Sequence, residues 1–103
     1  MTHASASTVP LGRETRVVVS PDAVSAALEG ETVILGMHDG VYYGLDLVGS
    51  RIWALAASPA TLASIHGTII AAYEVAPDVA WDDLCAVVRD LLVAGLLVLA
   101  TDR

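Results

Sequence analysis

The first half of the chain carries short runs of β-branched and aromatic residues, the pattern of strands. The predicted strands are Thr15–Val19, Thr32–His38 and Val41–Leu45. Asp39-Gly40 separates the last two, and this dipeptide favours a two-residue hairpin turn because it tolerates positive φ at both positions. Ser20-Pro21-Asp22 ends the first run. Residues 23–28 leave a short helical turn and irregular chain as open alternatives.

From Asp46 onward the apolar residues recur at helical spacing. Asp46 and Thr61 can cap two helices, since their side-chain oxygens accept hydrogen bonds from first-turn N–H groups. We expect the first helix to reach about Ala57 and a third to run from Val79 to Ala94. Gly95 then ends the third, because glycine tolerates a left-handed helix end. The apolar positions of the first two helices are Leu47, Val48, Ile52, Trp53, Leu55, Leu62, Ile65, Ile69 and Ile70.

The order of these elements indicates an α+β domain of the winged helix-turn-helix type. We expect an N-terminal three-stranded antiparallel sheet followed by three helices, with residues 96–99 as a short terminal strand. A chain of 103 residues suits one core. Residues 1–12 are rich in Ala, Ser and Thr and are predicted to be a flexible tail, which leaves residues 13–103 as the domain.

The composition is 55% hydrophobic and only 17% charged, which excludes a disordered solvating chain. A small domain with so many apolar residues is expected to offer part of its surface to a partner. The longest apolar stretch, Leu91–Ala100, is far shorter than the roughly 18 residues of a membrane span, and the N-terminus lacks the apolar segment of a signal peptide. The single cysteine, Cys85, is typical of a cytoplasmic protein, and no membrane association is expected.

The net charge of −7 disfavours nucleic-acid binding, because such a field repels phosphates. A winged-helix DNA-binding regulator nevertheless remains an alternative. A recognition helix presents Arg or Lys to DNA, whereas the third helix carries Arg89 beside Asp82, Asp83 and Asp90.

Catalytic and metal-binding patterns are weak. His3, His38 and His66 are dispersed and, with Cys85, show no metal-ligand spacing. No group is placed to activate the thiol, so a small thiol enzyme is the less favoured alternative. We expect no catalytic residue, no metal and no cofactor.

Four segments together resemble the PqqD-like family, the precursor-recognition domains of ribosomal peptide modification pathways. They are Glu31-Thr32-Val33-Ile34-Leu35, Asp39-Gly40-Val41-Tyr42-Tyr43-Gly44-Leu45-Asp46, Val48-Gly49-Ser50-Arg51-Ile52-Trp53 and Leu91-Leu92-Val93-Ala94-Gly95-Leu96. The resemblance implies a non-catalytic protein that binds the leader segment of a precursor peptide. It also implies that the leader adds as a strand against the third strand and packs on the third helix.

A free-standing member with a Tyr-Tyr-Gly-Leu hairpin is most similar to the leader-binding protein of lasso-peptide pathways. The implied partners are the precursor leader, a separate cysteine-type leader peptidase and the macrolactam-forming cyclase. PqqD itself, which serves a radical enzyme, is a close relative, so a PqqD-type chaperone for another peptide-modifying enzyme is the alternative.

The implied peptide-binding edge consists of Val41, Tyr42, Tyr43, Gly44 and Leu45. Strand addition uses the backbone of such an edge, and neighbouring pockets select alternate side chains. By strand alternation we expect Tyr43 on the core face with Val41 and Leu45, and Tyr42 on the opposite face. Gly44 allows close backbone approach, or alternatively marks a twist or bulge.

The third helix presents an apolar arc of about 180°, wider than the roughly 100° that core packing needs. Its centre is Leu84, Val88 and Leu91, with Trp81, Cys85 and Leu92 on one flank and Val87 and Ala94 on the other. We predict that Cys85, Val88 and Leu92 contact the peptide, with Leu92 exposed and Arg89 at the rim. The alternative is that all of these apolar residues are core.

Overall fold

The computed structural model describes residues 10–36 and 40–100 and contains six strands and three helices within them. The strands are β1 (Arg16–Val19), β2 (Val24–Leu28), β3 (Glu31–Leu35), β4 (Tyr42–Leu45), β5 (Ala60–Thr61) and β6 (Leu97–Leu99). The helices are α1 (Leu47–Leu55), α2 (Leu62–Ala72) and α3 (Pro77–Val93). The predicted α+β class with three helices is confirmed.

The strands form two three-stranded antiparallel sheets, in the orders β5-β1-β6 and β2-β3-β4. The predicted first strand therefore does not join the hairpin that follows it. Instead β1 pairs on one side with β5 and on the other with β6. Its place beside β3 is taken by β2, in the segment 23–28 for which no strand was expected. The expectation for that segment was wrong, since its strand depends on pairing with β3 rather than on its own residues.

A two-residue turn with positive φ at both positions joins β2 to β3. Glu29 has φ 50° and Gly30 has φ 85°, and Leu28 lies opposite Glu31 in the ladder. This is the geometry predicted for Asp39-Gly40. In the β3–β4 hairpin the Gly36 N–H donates to the Val41 carbonyl over 2.9 Å. Asp39 lies outside the described residues.

Local signals place the helix ends close to where the sequence predicts them. The Asp46 carboxylate accepts from the Gly49 N–H at 2.8 Å, and the Thr61 hydroxyl accepts from the Ser64 N–H at 3.1 Å. The third helix begins slightly earlier than expected, at Pro77, which fits a first helical turn because no partner for its missing N–H is needed there. Gly95, with φ 77°, ends it.

The core joins the three helices to one side of each sheet. Its most completely buried large side chains are Val17, Ile34, Ile52, Leu62, Ile65, Leu84, Val88 and Leu97. The indole N–H of Trp53 donates to the Ser25 hydroxyl at 3.1 Å, which ties α1 to β2. Leu11, inside the predicted tail, is half-buried against this core. Across residues 10–36 and 40–100, none of the helices has the length and apolar character to cross a membrane.

Candidate functional site

The strand β4 forms one edge of its sheet, and within residues 10–36 and 40–100 no strand pairs with the other side of its backbone. The bond between Gly36 and Val41 fixes the alternation of the β3–β4 ladder. Two and four residues further along β4, Tyr43 and Leu45 therefore direct their N–H and C=O groups towards β3. By the same alternation, Tyr42 and Gly44 direct theirs to the open side. This edge can hydrogen-bond to an added strand.

The side chains of β4 divide between the two faces of the sheet. Tyr43 lies opposite the fully buried Ile34 and is half-buried, as is Leu45, so both face the core as predicted. Tyr42 is 71% exposed on the outer face, also as predicted. Val41, expected on the core face, is 45% exposed because it precedes β4, where the hairpin extends beyond the core.

Gly44 faces open space. A Cβ atom built at this position meets no heavy atom within 4 Å, and φ of Gly44 is not in the left-handed region. The protein's own fold therefore does not require glycine here. Close approach of a ligand backbone at Gly44 stays a prediction.

An open groove of about 500 Å³ separates this edge from α3. From the sheet it is lined by Tyr42, Tyr43, Gly44 and Leu45, and from the helix by Val87, Asp90 and Leu91. Val87 is half-buried and Leu91 is buried, while the carboxylate of Asp90 is exposed. The groove thus combines open backbone groups on one wall with apolar side chains and one acidic group on the other, as capture of an extended peptide requires.

The groove uses the flank of α3 opposite to the predicted one. Cys85, Val88, Arg89 and Leu92 do not line it. Val88 is completely buried and Leu92 is 8% exposed, so the prediction of an exposed Leu92 is wrong. The physical reason is that α3 packs against both α2 and β6. These two elements together cover a wider part of its apolar arc than one sheet alone would cover. Val87, the residue facing the groove, lies about 140° from Leu92 around the helix.

A second cavity, of about 340 Å³, lies beside the groove and shares Val87 with it. Its walls come from α1, from the end of α2 with the segment that follows, and from α3. The lining is mainly apolar and includes Val48, Ile52, Ile69, Tyr73 and Ala86. Two acidic residues, Asp46 and Asp83, also line it. Sequence reasoning missed this cavity. Only the second apolar flank of α3, which includes Val87, hinted at it.

The thiol of Cys85 is poorly suited to nucleophilic chemistry. Burial raises the pKa of the Cys85 thiol, and the Asp82 carboxylate adds to this, while the Arg89 guanidinium opposes it. The net shift is upward, so the thiol stays protonated near neutral pH. A catalytic cysteine needs the reverse shift, because the thiolate is the nucleophile.

The ring of His66 is occupied by structural contacts. It is buried, its Nε2 lies 2.8 Å from the Pro77 carbonyl oxygen and its Nδ1 lies 3.5 Å from Nη1 of Arg13. The ring also packs edge-on against Trp81 at a centroid distance of 5.4 Å. His3 and His38 lie outside the described residues. Within the described chain, no three His, Cys, Asp or Glu side chains are grouped so as to hold a metal ion.

Comparison with solved structures finds one with a similar fold. It is TbiB1 in complex with the TbiA(β) leader peptide, which shares 36% sequence identity with this chain at a TM-score of 0.75. The similarity covers 82% of this chain and 99% of TbiB1. A search of curated proteins finds no match.

A family model described as coenzyme PQQ synthesis protein D (PqqD) matches residues 31–97. This range begins at β3 and includes the open edge of β4, all three helices and every residue that lines the groove. The match covers well over half of the chain and includes the whole candidate site, so this chain belongs to the PqqD family.

Proposed function

We propose that this protein is a non-catalytic peptide-binding protein that captures the leader segment of a ribosomally made precursor as a strand added to β4. The observation that carries the proposal is the open backbone edge of β4 facing the apolar side of α3 across a groove. The similarity to TbiB1, whose structure is a complex with a leader peptide, supports a leader as the ligand.

Strand addition at this site has two components. The N–H and C=O groups of Tyr42 and Gly44 bind the leader backbone and fix its register, with little dependence on sequence. Side chains on one face of the added strand then meet Tyr43, Val87 and Leu91, which favour apolar residues. A micromolar complex corresponds to about −8 kcal/mol, a value that one added strand with two or three filled pockets reaches.

The peptide-binding residues we propose are Val41, Tyr42, Tyr43, Gly44 and Leu45 on the sheet side. On α3 we propose Val87, Asp90 and Leu91 in place of the four residues that the sequence suggested. Cys85 and Arg89 lie on the far side of the helix from this groove, and Val88 and Leu92 belong to the core.

We further propose that the captured leader is delivered to a separate cysteine-type leader peptidase, and its core segment then to a macrolactam-forming cyclase, as in lasso-peptide pathways. The complex of TbiB1 with a leader peptide fits both this assignment and its alternative, while membership of the PqqD family favours the alternative of a chaperone for a different peptide-modifying enzyme. Reconstitution distinguishes the two. Under the first proposal, the separate leader peptidase cleaves the precursor rapidly only when this protein is present, and this protein alone cleaves nothing.

A DNA-binding role has no support from the exposed side of α3. Asp82, Asp83 and Asp90 are all exposed there, and they would repel a phosphate backbone.

Gly44→Pro tests strand capture directly. Proline removes the N–H that points to the open side and leaves the bonds between β3 and β4 intact, and an edge strand tolerates it for that reason. We expect thermal unfolding close to that of wild type. Leader affinity, measured by fluorescence anisotropy, should fall at least about tenfold, because one backbone bond and the close approach of the strand are lost.

Gly44→Ala is the matched control. It keeps the N–H, and its Cβ meets open space in the free protein, so binding should stay within a few-fold of wild type. The proposal of strand addition at β4 fails if Gly44→Pro is folded and binds the leader as wild type does.

A further inference from the structure

The outer face of the sheet β2-β3-β4, which points away from the core, is almost entirely apolar. Residues directly opposite each other in a ladder lie on the same face, and the buried Ile34 and Thr32 mark the core side. The outer face therefore consists of rows that cross the strands: Val24, Leu35 and Tyr42, then Ala26, Val33 and Gly44, then Leu28 and Glu31. Among these residues only Glu31 is charged.

The large side chains of this outer face are exposed. Val24 is 54% exposed and Leu28 is 58% exposed, and Tyr42 is more exposed than either. An antiparallel sheet with one face in water normally alternates apolar core-side residues with polar outer residues. An apolar edge strand such as β2 also invites unwanted pairing when it is left uncovered. An exposed face of this composition is typical of an interaction surface.

The charges around the outer face are acidic. Residues 20–46 contain no Lys or Arg, and their acidic residues are Asp22, Glu29, Glu31, Asp39 and Asp46. Glu29, in the turn between β2 and β3, and Glu31, on the face itself, are both exposed. A complementary partner therefore presents an apolar patch with Lys or Arg at its rim.

This chain itself is a poor occupant of the outer face. A second copy would bring the same acidic groups against those of the first, and each chain already has a net charge of −7. Residues 1–9 contain only Met1 and Val9 as large apolar side chains, too few to cover the face. A different protein is the better match.

The outer face is continuous with the proposed peptide site, because β4 belongs to both. Tyr42 is exposed on the outer face and also lines the groove between β4 and α3. A peptide strand added to β4 widens the outer face by one strand and places every second side chain on it. A protein docked on the outer face therefore lies beside the bound peptide and leaves the groove free.

We propose that the outer face of β2-β3-β4 is the docking surface for the enzyme that acts on the bound peptide, which contacts it through an apolar patch rimmed by Lys and Arg. The inference rests on the proposed function. It supplies the second surface that a peptide-binding protein without activity of its own needs, since peptide and enzyme must be held at the same time.

The test measures two affinities for the full chain and its variants. Fluorescence anisotropy gives the affinity for the leader, and biolayer interferometry with saturating leader gives the affinity for the separate leader peptidase. Val24→Lys and Leu28→Lys each place a cation on the outer face at an exposed position, so both should fold. Leader affinity should stay within about twofold of wild type. Peptidase affinity should fall at least about tenfold, because an apolar contact is lost and the basic rim repels the lysine.

Val98→Lys is the matched control. Val98 is also an exposed valine on an outer strand, but it belongs to the sheet β5-β1-β6, so both affinities should stay as in wild type. Glu31→Lys tests the charge of the partner. It should weaken peptidase binding several-fold at low salt and less at high salt, because salt screens exposed charges. An unchanged peptidase affinity for this variant at low salt contradicts the basic rim.

The docking assignment is overturned if Val24→Lys and Leu28→Lys bind the peptidase as wild type does, or if wild type binds the leader but not the peptidase. Strand capture stands in both cases. If one lysine variant does not fold, the other decides. The assignment is also overturned if wild type sediments as a dimer and Leu28→Lys as a monomer, since a second copy then covers the face. If wild type binds no leader, the proposed function fails and this inference with it.

Discussion

Val87 and Val88 provide a direct test of which side of α3 faces the ligand. They are neighbours of the same residue type on one helix, so replacement by alanine removes the same atoms and gains a similar helix propensity, less than about 0.7 kcal/mol. Val88 is completely buried, whereas Val87 is half-buried and lines both the groove and the adjoining cavity. Any difference between the two variants therefore reports their surroundings.

The expected magnitudes follow from this burial. Val88→Ala loses two buried carbons, at about 0.8 kcal/mol each, together with a cavity penalty, and recovers part of this as helix propensity. We expect about 2 kcal/mol less free energy of unfolding. For Val87→Ala the smaller burial loss and the propensity gain nearly cancel, so its stability should stay within about 0.5 kcal/mol of wild type. Its leader affinity should fall about fivefold, close to 1 kcal/mol.

Urea unfolding followed by the fluorescence of Trp53 and Trp81 gives the stabilities, and fluorescence anisotropy of a labelled leader gives the affinities. The reasoning is refuted if Val87→Ala loses as much stability as Val88→Ala, since Val87 is then core. It is equally refuted if folded Val88→Ala loses more leader affinity than Val87→Ala, because the ligand then contacts the other flank of the helix.

Two further predictions concern local chemistry. Asp46→Ala should lower the free energy of unfolding by about 1 kcal/mol, because the cap bond to Gly49 is lost. Asp46→Asn keeps an accepting oxygen and should retain most of this stability. Equal unfolding midpoints for the two variants would contradict the cap. Burial and Asp82 raise the pKa of the Cys85 thiol, and Arg89 opposes the shift. The contribution of this thiol to folding stability is therefore complete below the pKa of an unfolded cysteine, about 8.5, and declines as the pH rises above that value. Iodoacetamide should accordingly alkylate the folded protein more slowly than the urea-unfolded protein near pH 8.5, and equal rates would show that the folded environment does not raise this pKa.

Features that depend on a few neighbouring residues could be predicted from the sequence. The caps at Asp46 and Thr61 and the glycine at position 95 act within one helical turn, so the starts of α1 and α2 and the end of α3 agree with expectation. The strand alternation that placed Tyr43 inward and Tyr42 outward is equally local, because neighbouring side chains of a strand must point to opposite faces.

Features that depend on distant neighbours were decided by the tertiary structure. The exposed segment Val24–Leu28 becomes a strand because β3 supplies backbone partners along its whole length. The residues of the segment themselves do not predict this pairing. β1 lies away from the hairpin because β5 and β6, separated from it by tens of residues, pair with both of its edges.

The site shows the same division. The periodicity of α3 determined the centre of its apolar arc, and Leu84, Val88 and Leu91 are buried as that centre requires. Periodicity alone could not say which flank faces the open edge of β4, because both flanks are apolar and the rotation of a helix about its axis is set by the elements that pack on it. The packing of α3 against α2 and β6, with β4 across the groove, leaves Val87 beside the open edge and encloses Leu92.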